Sequence, residues 1–371
     1  MSVEKSVLER YSKGAESVQS SLCCPVDYDS ELMSILPQEV IEKDYGCGDP
    51  SRYVQEGDVV LDLGSGSGKI CYIAAQLVGD QGAVIGVDMN DDMLSLARSY
   101  QSEMARRIGS DRVSFHKAHI QDLKLDLEVV DRYVTDHPVI SSSDLSRFDT
   151  WKSEQRNRTP LVADSSVDLV VSNCVLNLVE ECDKRILLEE IFRVVRPGGR
   201  VAISDIVSDE SVPQSLKADP VLWSGCISGA LQEESFINAF AEVGFQGVSL
   251  AKWDDKPWQT VGGIEFRSVT VTAYKGKGAE CIDRGHAVIY RGPFSRVNDD
   301  DGHYYPRGQR IAVCERTFEA LLDRYPENFI GIRPNGEVEP KIWCAPAGTI
   351  RPASETRDGE FRSRESSGGC C

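Results

Sequence analysis

The chain contains 371 residues and carries a net charge of −18, from 59 acidic and 41 basic side chains. No cluster of Lys and Arg stands out against that charge, so we expect no nucleic-acid partner, because phosphate binding requires grouped basic side chains. No apolar run approaches the roughly 18 residues that cross a bilayer, and residues 1–5 lack the apolar core of a secretion signal. We expect a cytoplasmic monomer without a membrane anchor, long enough for one large domain and a smaller one.

The predicted elements begin with an N-terminal segment, residues 1–44. Within it, residues 1–28 are polar and expected to be loosely ordered, and residues 30–43 include a short helix. Beyond it, short apolar runs alternate with stretches of helical periodicity. The runs predict seven strands, at 59–63, 83–88, 113–115, 167–171, 200–205, 245–251 and 265–274. Helices are expected at 69–78, 90–108, 183–195 and 233–243. This alternation predicts a mostly parallel sheet covered by helices on both faces.

Three stretches depart from the alternation. Residues 128–165 are polar with few periodic apolar positions, and we interpret them as an inserted surface loop. After about residue 280, short strand-like runs and one helix predict a small α+β domain over 281–352. The tail, 353–371, is polar and rich in Gly and Ser, and we expect it to be disordered, with Cys370 and Cys371 exposed at its end.

A glycine-rich turn, Asp62-Leu63-Gly64-Ser65-Gly66-Ser67-Gly68, follows the first predicted strand. Glycines at this junction let the backbone lie against a ligand, and Asp88 at the end of the next strand can accept hydrogen bonds from a ribose. A phosphate-binding loop is excluded, because Leu63 and Ile70 occupy its Gly and Ser/Thr positions. The Gly-x-Gly-x-Gly spacing differs from the dinucleotide pattern Gly-x-Gly-x-x-Gly and favours S-adenosylmethionine as the cofactor.

Twelve cysteines in a chain without a predicted secretion signal indicate metal binding or redox chemistry rather than a disulfide scaffold. Four of them lie in short motifs flanked by Gly or Asn: Cys47, Cys71, Cys174 and Cys226. Cys174 follows the fourth strand, so we expect it beside the cofactor. A trio of thiolates binds soft, thiophilic centres, whereas structural zinc sites usually contain Cys-x-x-Cys pairs, which this sequence lacks.

In combination, these motifs resemble the arsenite S-adenosylmethionine methyltransferase family. The similar stretches span roughly residues 45–245: Tyr45–Gly48, Leu61–Gly68, Cys71-Tyr72, Gly86–Met89, Ser172–Leu178, Pro197–Gly199, Leu222–Cys226 and Gly229–Leu231. The resemblance implies an α/β fold of the Rossmann-like class I methyltransferases. Its central, mostly parallel seven-stranded sheet would lie in residues 45–210, with an arsenic-binding region and the last strands in 211–280. One departure is Gln121, which stands where the family usually has an acid facing the adenine.

The resemblance also implies roles for individual residues. Cys174 and Cys226 would bind trivalent arsenic, and Cys47 and Cys71 would complete the set of catalytic and arsenic-binding thiols. The expected cofactor contacts come from the glycine turn, the ends of the following strands and the loops beyond them: Asp62, Gly64, Ser65, Gly66, Gly68, Tyr72, Asp88, Met89, Ile120, Gln121 and Asn173.

The expected reaction is methylation of arsenite and methylarsenite. Arsenic held by three sulfurs keeps a lone pair for the methyl group, so no general base is required. Because methylation formally oxidises arsenic, two thiols must supply electrons, and Cys47–Cys71 is the predicted disulfide. An external thiol reductant, thioredoxin or glutathione, would reset it. Two alternatives stay open: a class I methyltransferase for a small organic substrate, and a non-catalytic metalloid-binding thiol protein.

Overall fold

The computed structural model describes residues 3–19, 26–278, 280–334, 336–343 and 345–356. The chain divides into two compact units, residues 1–276 and 277–371. Within the described part of the chain, every helix is too short or too polar to span a bilayer.

The first unit is built on one nine-stranded sheet. Its strands are β1 (Val59–Leu63), β2 (Ala83–Asp88), β3 (Val113–Lys117), β4 (Val167–Asn173), β5 (Val195–Ser208), β6 (Leu231–Gln232), β7 (Phe245–Trp253), β8 (Gln259–Val261) and β9 (Ile264–Lys275). The main path runs β3-β2-β1-β4-β5-β9-β7, with β6 paired to β5 and β8 to β9. β9 is antiparallel to both β5 and β7, and the first five strands of the path are parallel. The predicted mostly parallel seven-stranded sheet is therefore confirmed.

Helices surround this sheet. They are α1 (Val3–Glu16), α2 (Ser30–Ser34), α3 (Gln38–Glu42), α4 (Lys69–Leu77), α5 (Asp91–Ser99), α6 (Gln101–Ile108), α7 (Leu127–Asp136), α8 (Ser142–Arg158), α9 (Lys184–Val194), α10 (Gln214–Lys217), α11 (Pro220–Ser224) and α12 (Glu233–Glu242). Short 3-10 turns occupy Pro50–Tyr53 and Leu176–Leu178. One apolar cluster packs α4 against β1–β3, and another packs α9 and α12 against β4, β5 and β9. Central strands covered by apolar side chains must be apolar on both faces, as the runs in β1 and β4 are.

The N-terminal segment differs from the expectation of loose order. α1 is helical because its apolar side chains recur at helical spacing, with Tyr11 and Ala15 packed on a buried pair, Tyr45 and Met93. This pattern is short and lies among polar residues, so the overall polar composition of the segment did not reveal it. Residues 20–25, with Cys23 and Cys24, lie outside the described residues.

The predicted loop at 128–165 is also wrong: most of it is a helical hairpin, α7 and α8. The Asp126 side chain caps α7 by accepting from two backbone amides, and Ser141 caps α8. Between the helices, the Tyr133 and Trp151 rings stack with centroids 3.9 Å apart. Neither helix buries a residue. In α7, Leu127, Val130 and Val134 recur at helical spacing, whereas α8 is mostly polar and has only weak apolar periodicity.

Among its described residues, the second unit contains one α-helix and short strands: β10 (Ile282–Asp283), β11 (Ala287–Tyr290), β12 (Arg296–Asn298), β13 (Tyr304–Pro306), β14 (Arg310–Ala312), α13 (Glu315–Arg324), β15 (Phe329–Ile332) and β16 (Lys341–Ile342). β14, β11 and β15 form an antiparallel sheet whose core includes Phe318 of α13. Ala353–Glu355 form a 3-10 turn. The rest of the predicted tail, from residue 357 to the Cys370-Cys371 pair, lies outside the described residues.

Candidate functional site

The glycine turn lies at the carboxyl ends of β1 and β2. Gly64 and Gly66 have φ values of 72° and 50°, in the left-handed region that favours glycine. Asp88 fixes the turn, because one of its carboxylate oxygens accepts from the Gly66 N–H at 2.9 Å and the other from the Asn90 N–H at 2.9 Å. Burial raises the pKa of Asp88 above its usual range. The turn and Asp88 thus form one rigid edge of a cleft.

This cleft is a pocket of about 1050 Å³, counting its open mouth. Nine of the predicted cofactor residues line it: Asp62, Gly64, Ser65, Gly66, Asp88, Met89, Ile120, Gln121 and Asn173. Residues of α1 and the loop before the first 3-10 turn also line it: Val7, Leu8, Tyr11, Lys43, Asp44 and Tyr45. Cys174 is part of the wall as well. The cleft therefore brings the glycine turn and a predicted arsenic-binding thiol to one space.

The lining fits S-adenosylmethionine on three observations. A side chain added at Gly66 would meet open space, so the backbone is bare towards the cleft. Ser65 Oγ is buried and has no hydrogen-bond partner among the described residues, which leaves a polar atom for a ligand. Burial, and secondarily the charges of Asp44 and Asp88, raise the pKa of Asp62 to about 7. A cationic sulfonium ligand would offset the repulsion between these carboxylates and stabilise their ionised forms.

Two predicted cofactor residues lie elsewhere. Tyr72 is fully buried on α4, where its hydroxyl donates to the Ala97 carbonyl at 2.6 Å and its ring packs edge-to-face on Phe115. Gly68 begins α4, and a Cβ there would approach Phe115 to 2.9 Å, so its smallness serves packing. The helical phase turns Ile70, not Tyr72, towards the pocket. The structure therefore places neither Gly68 nor Tyr72 in the lining of this pocket.

Asn173 lines the pocket and also holds the loop that carries Cys47. Its side-chain oxygen accepts from the backbone N–H groups of Cys47 (2.8 Å) and Gly48 (3.0 Å), and its amide donates to Tyr28 Oη and the Gly48 carbonyl. A Cβ at Gly46 would lie 2.1 Å from this amide, and one at Gly48 only 2.4 Å from Ser204 Oγ. The Gly-Cys-Gly motif therefore exists because its loop lies directly against β4 and β5.

Three of the four predicted thiols meet at the end of that loop, in what we call the thiol cluster: Cys47, Cys174 and Cys226. Cys47 and Cys174 form a disulfide, with Cα atoms 5.9 Å apart. The Cys226 thiol lies within 4.8 Å of the Cys174 sulfur and donates to the Cys174 carbonyl at 3.4 Å. Cys174 and Cys226 both have φ of 63°, a left-handed conformation that non-glycine residues adopt at a cost.

Cys71 is not part of the cluster. Its thiol is fully buried on α4, donates to Asp62 Oδ2 at 3.2 Å and packs against Gly86 of β2. Burial, and then the Asp62 charge, raise the pKa of this thiol well above its usual range. The predicted Cys47–Cys71 disulfide is wrong for this structure. The hydrogen bonds of Asn173 hold the Cys47 loop beside Cys174, whereas the Cys71 side chain on α4 points into the core.

Three residues beside the cluster were not predicted from the sequence. The Asp205 carboxylate on β5 lies within 4.8 Å of the Cys174 and Cys226 sulfurs, and burial raises its pKa to about 6. Lys184 of α9 is buried, which lowers its pKa to about 8, and it donates to the Gly229 carbonyl. Burial, and then the neighbouring Cys226 thiol, raise the pKa of Tyr11 of α1 well above its usual range. In the sequence, Asp205 ends the predicted apolar strand 200–205, and this position could have indicated a functional carboxylate. No sequence pattern indicated Tyr11.

The sheet order, the glycine turn and the pocket define a class I S-adenosylmethionine-dependent methyltransferase. A family model described as "Methyltransferase domain" matches residues 54–155 and 147–244. A second model, "Domain of unknown function (DUF8838)", matches residues 277–361.

Comparison with known proteins identifies the family within this class. The chain is 32% identical to the arsenite methyltransferase of Aquipseudomonas alcaligenes over 88% of the chain and 90% of that relative. It is 28% identical to the human arsenite methyltransferase over 92% and 87%. A crystal structure of an arsenic(III) S-adenosylmethionine methyltransferase from Chlamydomonas reinhardtii, at 30% identity, superposes with a TM-score of 0.57 over 84% of this chain and 100% of that one. The chain belongs to the arsenite S-adenosylmethionine methyltransferase family.

Proposed function

We propose that the protein methylates trivalent arsenic, as arsenite and methylarsenite, with thiolate-bound arsenic as the nucleophile. The observation that carries the proposal is the position of the Cys174 and Cys226 sulfurs, within 4.8 Å of each other, with Cys174 in the wall of the pocket that holds the glycine turn. Two sulfurs at this separation can share one arsenic atom, and soft thiolates are its preferred ligands.

Reduction of the disulfide prepares the binding site. Once the Cys47–Cys174 bond is opened, Cys47 can supply a third sulfur beside Cys174 and Cys226. Each thiol that binds loses its proton to a hydroxide of arsenite, which leaves as water. S-adenosylmethionine, when bound, supplies an electrophilic methyl group. The thiol cluster then holds arsenic at the pocket wall, and the buried surroundings exclude water from it.

The same cysteines account for the electrons. Transfer of a methyl cation to the arsenic lone pair raises arsenic from trivalent to pentavalent, and two electrons return it to the trivalent state. Two thiolates that lose these electrons become one disulfide, and Cys47 and Cys174 are the pair found bonded. An external thiol, thioredoxin or glutathione, must reopen the bond by disulfide exchange before Cys174 can bind arsenic again.

The proposal is tested by incubating the protein with arsenite, a dithiol and S-adenosylmethionine carrying a labelled methyl group. We expect labelled methylarsenicals from the wild type and none above background from Cys226→Ser. Cys182→Ser, at an exposed cysteine away from the pocket lining, is the matched control and should retain activity. Labelling that does not depend on arsenite would favour an organic substrate, and arsenite binding without methyl transfer would favour a sequestering protein.

A further inference from the structure

Helix α1 borders the pocket and is held by side-chain hydrogen bonds to two different segments. The Arg10 guanidinium donates to Ser224 Oγ at 3.0 Å, in α11, two residues before Cys226. The Asn90 amide, which follows β2, donates to Ser12 Oγ at 3.1 Å. The helix therefore bridges the segment that carries an arsenic-binding thiol and the turn that carries the cofactor carboxylate.

Tyr11 lies between these two attachments. Its side chain lines the pocket together with the glycine turn and Cys174, and burial together with the neighbouring Cys226 thiol raises the pKa of its hydroxyl well above its usual range. The ring packs edge-to-face on Tyr45, with centroids 6.1 Å apart. Tyr45 in turn donates to the Gly14 carbonyl at 3.0 Å, one turn further along α1. The orientation of the phenol is thus set by the helix and by a second aromatic ring.

We propose that Tyr11 is a positioning and specificity residue of methyl transfer, with separate tasks for its hydroxyl and its ring. The hydroxyl orients the Cys226 sulfur towards the atom it shares with Cys174. The ring is the wall that shields the methyl donor and arsenic from water. This inference rests on the proposed arsenic methylation.

The chemistry of the two substrates supports this division. A hydrogen bond to a thiolate is a charge-assisted bond that restricts the direction of the remaining sulfur lone pairs. An aromatic ring attracts a nearby cation without competing for its hydrogen-bond donors, which suits a sulfonium. Helix α1 brings both properties to one place with a single side chain, and neither the glycine turn nor the thiol cluster supplies an aromatic ring.

Two substitutions separate the tasks. Tyr11→Phe keeps the ring, and we expect about a tenfold rise in the KM for arsenite, as for loss of one hydrogen bond to a charged group, with the Kd for S-adenosylmethionine unchanged. Tyr11→Ala removes the ring as well, and the Kd for S-adenosylmethionine should also rise, by about tenfold. Steady-state kinetics with both substrates and calorimetric titration of S-adenosylmethionine without arsenic provide the two readouts.

Ser12→Ala and Arg10→Ala are the matched controls, because they weaken the attachment of α1 without altering the phenol. The proposal predicts that neither control reproduces the selective effect of Tyr11→Phe on the KM for arsenite. It is overturned if Tyr11→Phe behaves as the wild type, or if either control gives the same selective effect. A wild type without arsenite-dependent methyl transfer would instead overturn the proposed function, so the two failures are distinguishable.

Discussion

Cys71 and the cysteines of the thiol cluster have similar sequence motifs but different structural surroundings. Each predicted thiol lies near a glycine or asparagine at the carboxyl edge of the sheet, yet their surroundings differ. Cys71 is packed by core side chains and hydrogen-bonded to a carboxylate that raises its pKa. Cys174 and Cys226 lie on left-handed backbone beside the pocket, and Cys174 is already bonded to Cys47. A position near the carboxyl edge of the sheet therefore does not by itself make a thiol reactive. The direction of the cysteine side chain and the groups around it decide its reactivity.

The largest expected effect separates Cys47 from Cys71. Cys47→Ser should lower the rate of arsenite methylation by about a hundredfold, because it removes a sulfur of the cluster and the partner of the disulfide. Cys71→Ser should change the same rate by no more than a few-fold. Methylarsenite needs only two sulfurs for binding, so Cys47→Ser should methylate it much better than arsenite, with Cys174 and Cys226 giving up the two electrons as a disulfide that the added dithiol reopens. Equal, severe losses in the two variants would return Cys71 to the catalytic set.

A second substitution weakens the attachment of the Cys47 loop to Asn173, which keeps Cys47 in the thiol cluster and away from Cys71. Asn173→Ala removes the four hydrogen bonds to the Cys47 loop and Tyr28. We expect about a tenfold loss of methylation and a decrease of roughly 2 kcal/mol in the free energy of unfolding, since buried backbone amides lose their partners. Urea titration measures the stability, and mapping of alkylated peptides reports whether the Cys47–Cys174 disulfide still forms. Ser166→Ala, at an exposed hydrogen-bonding serine, serves as the control.

The carboxylate beside Cys71 predicts a pH dependence. The pKa of Asp62 is raised to about 7 in the folded chain, above the value of an unfolded aspartate. In the ligand-free protein, its contribution to stability is therefore largest below about pH 4 and declines as the pH rises to about 7. A cationic ligand binds the ionised form, so its affinity changes in the opposite direction.

Calorimetry should therefore show S-adenosylmethionine binding about fourfold tighter at pH 8 than at pH 6.5, following the ionised fraction of a group with a pKa of about 7. Asp62→Asn should bind more weakly and without this pH dependence. An unchanged pH profile in Asp62→Asn would assign the titration to another group.

The smallest effect concerns Tyr72, next to Cys71 on α4. Tyr72→Phe removes the hydrogen bond to Ala97 and should lower the free energy of unfolding by about 1 kcal/mol. The KM for S-adenosylmethionine should not change, because Tyr72 faces the core. A severalfold rise in that KM would restore Tyr72 to the cofactor site.

Sequence patterns predicted the parts of the molecule that depend on burial. The apolar runs of β1, β2 and β4 and the glycine turn are dictated locally, by burial on both faces and by backbone conformation. The hairpin of α7 and α8 buries no residue, and the polar sequence of α8 concealed the short apolar pattern of α7. The directions of Cys71 and Tyr72 depend on the helical phase of α4, and the nearness of Tyr11 to Cys226 depends on a contact across more than 200 positions of sequence, which no local pattern encodes.

The left-handed backbone at Cys226 has a consequence for protein engineering. Replacing a side chain by glycine at such a position is an ordinary way to relieve conformational strain and raise thermal tolerance. Here that change would delete a sulfur from the thiol cluster. A screen for heat resistance alone would therefore favour stable variants that lack a thiol of the proposed arsenic site, and selection for activity must accompany every round.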